Sequence, residues 1–100
     1  MDMARMVMDV DIEVSVDGVS FICTVGCNGV SYISGALCDT LGIDRSALKS
    51  STVYTTLFPG ERLRRMSIVP ELTVKFPSGK SITHGPFVVD DAAPVSMQVQ

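Results

Sequence analysis

Fewer than one residue in five is charged: Asp, Glu, Lys and Arg make up 19% of the 100 residues, against 46% that are hydrophobic. A chain so poor in charge and so rich in apolar side chains buries a core, which excludes a disordered segment. Its length leaves room for one core and no second module, so a single domain over residues 1–100 is expected. No apolar run approaches the roughly 20 residues of a membrane helix. The opening MDMARMVMDVDIEV has no apolar block ahead of a cleavage site, so a soluble, cytoplasmic protein is expected. A basic face is also missing. The formal net charge is -3 and the pI about 4.8, which argues against nucleic acid as a partner, since phosphate binding needs clustered cations. The ERLRR run at 61–65 is the one basic cluster and reads as a solvated edge. Three cysteines, Cys23, Cys27 and Cys38, are an odd number without a secretion signal, so a disulfide framework is not expected and a reducing compartment is.

What the chain does contain is alternation. Met6, Met8, Val10, Ile12, Val14 and Val16 are apolar, with Asp9, Asp11, Glu13, Ser15 and Asp17 between them, the pattern of a half-buried strand. At about 3.3 Å per residue the run spans roughly 36 Å, so the strand must bend or serve two sheets, as long strands in small barrels do. Asp17-Gly18 tolerates the positive φ of a two-residue hairpin, and Val19, Phe21, Cys23 and Val25 resume the alternation on the return. Val30 to Ile33 reads as a short strand. Ser34 is placed to cap a helix over Gly35 to Leu41, with Gly42 past its end. Ser51 to Phe58 is strand-like, and Pro59-Gly60 turns the chain. Leu72, Val74 and Phe76 alternate, Pro70 marks an edge or bulge, and Pro77-Ser78-Gly79 leads into Ser81 to His84. Phe87 to Val89 and the alternating Val95, Met97 and Val99 complete about eight short strands and one helix.

This order, with VSYIS at 30–34, LCDTLGI at 37–43 and the YTTLFPGERLR hairpin at 54–64, resembles the retropepsin-like aspartic proteases of retroviruses and retrotransposons. The likeness covers residues 10 to about 90 and is one of pattern rather than close identity. It implies an all-β fold, a small closed barrel with one short helix. It also implies a homodimer in which each subunit supplies one aspartate from a D-T-G-A loop, the two sharing a proton so that one activates water while the other donates. In this chain that loop is FICTVGCNG. Counted back from Ser34, Val25 stands at the aspartate position, or Thr24 if one residue is inserted; no Asp or Glu lies between Asp17 and Asp39. Neither a methyl group nor a hydroxyl does acid-base work near neutral pH, so Thr24, Val25, Gly26, Cys27 and Asn28 read as a catalytic loop without its catalyst. The family's I-L-G and following helix are also replaced, by DDAAPVSMQVQ. The plainer alternative is a hairpin loop in an unrelated small barrel, its glycines serving positive φ.

Two other chemistries use the same residues. Cys23, Cys27, Cys38 and His84 have the types of a zinc site, but strand positions four apart lie about 13 Å from each other, too far for ligands about 2.3 Å from one ion, so no metal and no cofactor are expected. Cys27 as nucleophile with His84 as base and Asp90 or Asp91 as orienter is a peptidase alternative, as is an aspartic peptidase using Asp39 or Asp44. The expected function is a catalytically silent retropepsin-like domain, a homodimeric assembly or peptide-binding module from a retroelement polyprotein. The resemblance places a flap at Leu57, Phe58, Pro59 and Gly60 over an extended peptide held by strand pairing. Met3, Met6 and Met8 and the strand of Val95, Met97 and Val99 are expected to pair across the dimer axis.

Overall fold

The computed structural model describes residues 10–26, 30–54, 63–93 and 95–99, and of residues 53, 54, 63 and 64 only the backbone. The first hairpin joins β1 (Val10–Val16) to β2 (Val19–Val25) through Asp17 and Gly18, whose φ angles of 50° and 83° are those the D-G pair was expected to supply. That two-residue turn fixes the register from Val16↔Val19 to Val10↔Val25. β3 (Tyr32–Ser34) runs into α1 (Gly35–Thr40). The Ser34 hydroxyl accepts from Leu37 N at 3.0 Å, and Gly42 at φ 75° ends the turn. A 3₁₀ turn, Arg45–Ala47, precedes β4 (Ser50–Tyr54), which pairs antiparallel with β5 (Leu63–Val69). β6 (Leu72–Lys75), β7 (Ser81–His84), β8 (Phe87–Asp90) and β9 (Met97–Val99) follow. The protein is thus mostly β with one short helix. Among the described residues no helix is long and apolar enough to cross a membrane.

Among the described residues the nine strands join one sheet in the order β4-β5-β8-β3-β9-β2-β1-β6-β7. Only Pro70 and Glu71 separate β5 from β6, and only Gly85 and Pro86 separate β7 from β8. Since Val69 pairs with Phe87 and Leu72 with His84, these four strands form one antiparallel ribbon with a corner. Pro70, expected at an edge or bulge, sits at that corner. One end of the ribbon lies beside β3, while the other meets β1 through Ser15↔Lys75. The sheet therefore has to curl, because its second and eighth strands are almost continuous chain. Among the described residues no pairing joins the edge strands β4 and β7, so the sheet is open where a closed barrel was expected.

The inside of the curl is apolar. Val14, Val16, Cys23, Ile33, Leu37, Cys38, Val69, Val74, Phe87, Val89 and Met97 make one buried cluster drawn from seven strands and the helix. Tyr32, Met66 and Val88 make a second. Successive residues of a strand face opposite ways, which is why Tyr32 and Ile33, or Phe87 and Val88, fall into different clusters. Burying each of the larger side chains contributes about 1.5–3 kcal/mol. Met97, expected at a subunit interface, belongs to the first cluster and is fully buried; its strand is paired on one side to β2 and on the other to β3.

Candidate functional site

The segment that the resemblance makes the catalytic loop begins at the end of β2. Thr24 is 5% exposed, and its hydroxyl donates to Asp11 Oδ1 at 2.8 Å. The hairpin register puts Asp11 directly across from Thr24. The next residues are held by backbone: Val25 is in register with Val99, and Gly26 N donates to Val99 O at 2.9 Å. Of the five expected loop residues, Thr24, Val25 and Gly26 lead along β2 toward β9; Cys27 and Asn28 lie outside the described residues. The described part of the loop carries no ionisable side chain. A carboxylate nevertheless stands one hydrogen bond away, on the neighbouring strand, where inspection of the loop alone does not look for it. Asp11 also acts on Cys23: burial first, and this carboxylate second, push the Cys23 thiol up to about 11. Such a thiol is a packing group rather than a nucleophile.

A second polar pair lies where β3 begins. Ser31 Oγ and His84 Nε2 share a hydrogen bond of 2.8 Å, and the His84 ring packs edge-on to Phe87 with centroids 5.4 Å apart. Val88 N donates to Ser31 O at 3.0 Å, so the serine is fixed from both sides. Sequence spacing gives no sign of this pair, whose members are 53 positions apart. His84, expected as the base for Cys27, shares its Nε2 with Ser31, and Cys27 lies outside the described residues. Its proposed orienters are elsewhere. Asp90 is buried, its Oδ1 accepting from Ala92 N at 2.9 Å while Oδ2 has no partner among the described residues. Asp91 accepts two bonds from Arg45, at 2.7 and 2.8 Å.

Asp39 and Asp44, the two spare acids, are also placed. Asp39 lies 3.5 Å from the Arg45 guanidinium and is exposed. Asp44 caps the 3₁₀ turn, and the Ser46 hydroxyl and backbone N–H hold its carboxyl below the usual range. Among the described residues neither acid is bonded to the β2 loop. Cys23 and Cys38 are buried and free, and among the described residues no three His, Cys, Asp or Glu side chains converge on a common centre. Burial likewise pushes the Cys38 thiol above its ordinary value.

The flap expected at Leu57, Phe58, Pro59 and Gly60 lies outside the described residues; the strands on either side of that segment, β4 and β5, pair up to Tyr54↔Leu63. Met3, Met6 and Met8 also lie outside. Val95 and Val99 are half-buried, Val99 against the first cluster and Val95 against the second. With Met97 between β2 and β3, the C-terminal strand spends its pairing capacity within the chain, which leaves it less to offer a second copy than its sequence suggests. Neither the models of known protein families nor the curated proteins contain a match to this chain.

Proposed function

We propose that the chain is a retropepsin-like domain without peptidase activity, a homodimeric assembly or peptide-binding module of retroelement origin. One observation carries the reading: the two residues that the resemblance sets at the aspartate position, Val25 or Thr24, carry no carboxylate, and the buried Thr24 hydroxyl is committed to Asp11. A hydroxyl neither holds nor releases a proton at pH 4–7, so the site lacks the paired acid and base that hydrolysis needs. Further support comes from the order of hairpin, loop, short strand, helix and second hairpin, and from a curled sheet whose ribbon turns at Pro70 and Gly85. Extended-peptide binding by strand pairing needs backbone groups alone and survives the loss of a carboxylate.

The test is incubation of the purified chain with an unfolded protein substrate across pH 4–7, beside light scattering over a concentration series. No cleavage and a dimer are the expected results. Cleavage blocked by an aspartic-protease inhibitor ends the reading, and a monomer at all concentrations removes its dimeric part. Asp11 favours one second reading, an active aspartic peptidase using a carboxylate from the adjacent strand. In that case cleavage is present and Asp11→Asn abolishes it.

A further inference from the structure

The edge of the sheet at β4 has features that neither the fold nor the loop uses. Ile68 N donates to Lys49 O at 2.9 Å, which makes Lys49 and Ile68 a hydrogen-bonded pair. Such pairs recur every second residue in an antiparallel ladder, so Ser51 also turns its backbone toward β5, while Ser50 and Thr52 turn theirs outward. Among the described residues no strand pairs with β4 on its other side. Ser50, Ser51 and Thr52 are exposed, and none is a charge or a proline of the kind that guards sheet edges. At the base of this strand lies a groove of about 530 Å³, lined by Ala47, Leu48, Lys49, Ile68, Pro70 and Pro86. Its volume is in the range of built ligand sites, and Lys49 is its one charged residue. Among the described ion pairs, which join Arg45 to Asp39 and Asp91, Lys49 takes no part.

We propose that the β4 edge and this groove form one docking surface for an extended peptide. The peptide adds a strand along Ser50 and Thr52, lays a large apolar side chain in the groove, and sets an acidic side chain beside Lys49. The outward backbone groups of Ser50 and Thr52 select an extended chain, the apolar walls select its anchor, and the exposed Lys49 ammonium selects its charge. A second copy is the poorer occupant, because its own edge strand, Ser-Ser-Thr-Val-Tyr, brings no acidic side chain to Lys49. The surface needs neither the β2 loop nor a subunit axis.

Fluorescence anisotropy with a labelled decapeptide tests this, the probe alternating Thr and Val around a central Phe-Glu. Saturable binding is expected, about tenfold tighter than for the same peptide with Lys in place of Glu. Thr52→Pro removes an N–H that points away from β5 and leaves the β4–β5 ladder intact, and it weakens binding about tenfold or more. Ala47→Arg, introduced at an exposed position, fills the groove and has the same effect. Thr24→Val leaves binding unchanged, which separates this surface from the β2 loop. Absence of saturable binding overturns the proposal, as does wild-type affinity in both edge variants when their unfolding midpoints match the parent. Amide shifts at Ser50 and Thr52 that follow protein concentration without peptide assign the edge to a second copy and overturn it as well.

Discussion

Two crowded corners of this molecule each hold a glycine, and they differ in what does the crowding. At Gly85, between β7 and β8, an added Cβ would lie 1.9 Å from Pro70 O and 2.7 Å from Glu71 Cα, both backbone atoms. At Gly35, the first residue of α1, it would lie 1.7 Å from Asp91 Oδ1 and 2.9 Å from an Arg45 guanidinium nitrogen, the free ends of two side chains. The first corner is where the ribbon turns, and two backbones meet there with no slack. The second is an ion pair with Asp91 at 72% and Arg45 at 33% side-chain exposure. Close approach has structural weight when neither party can rotate away.

The largest effect expected from that contrast is at Gly85. Gly85→Ala forces Pro70 and Gly85 apart, which opens the corner between β6 and β5 and pulls His84 off Ser31; urea unfolding should show a loss of about 3 kcal/mol or more. Met97→Ala comes next. The cavity it leaves between β2 and β3 costs about 2–5 kcal/mol, and the loss should be the same at every protein concentration. A loss that instead shrinks as concentration rises would return Met97 to a subunit interface. Thr24→Val keeps the volume and removes the hydroxyl that Asp11 accepts from, for about 1 kcal/mol, because the exposed Asp11 is rehydrated. Gly35→Ala should fall within about 1 kcal/mol of the parent: the displaced ion pair is exposed and screened, and alanine is the better helix former. If Gly35→Ala proves as damaging as Gly85→Ala, the distinction between side-chain and backbone crowding fails for this protein.

How much of this was legible in the sequence follows from the range of each interaction. The β1–β2 hairpin was readable because Asp17-Gly18 fixes the turn and the turn fixes every pair behind it. That same register sets Asp11 opposite Thr24, so the carboxylate nearest the loop was available to anyone who continued the pairing six residues back from the turn. The helix at Ser34 announced its own cap. The strand β5 was harder, since ERLRR reads as a solvated edge, and only MSIV signals the cores on its two faces. The Ser31–His84 bond and the Arg45–Asp91 clasp join residues 53 and 46 positions apart, and their partners are chosen by how the ribbon bends. The burial of Met97 was hidden for a related reason: alternation marks one face of a strand as apolar without saying whether the cover comes from this chain or another.

The smallest expected effect concerns pH and distinguishes the interior from both corners. Cys23 is 2% exposed, and its thiol is raised from 9.0 to about 11 chiefly by burial. A group that holds its proton more tightly folded than unfolded contributes stability that is fully present below the unfolded value and is lost as pH rises through the folded one. Stability should therefore decline between pH 9.0 and about 11, and Cys23→Ser should flatten that part of the profile even though it lowers stability at neutral pH. The Arg45–Asp91 clasp stays charged throughout this window and reaches the profile only through Cys38, whose thiol burial raises and Arg45 lowers, so Arg45→Gln should steepen the decline rather than flatten it. Equal slopes in the parent and in Cys23→Ser would show that the thiol titrates as freely in the fold as outside it, and that the inside of the curl is wetter than its packing implies.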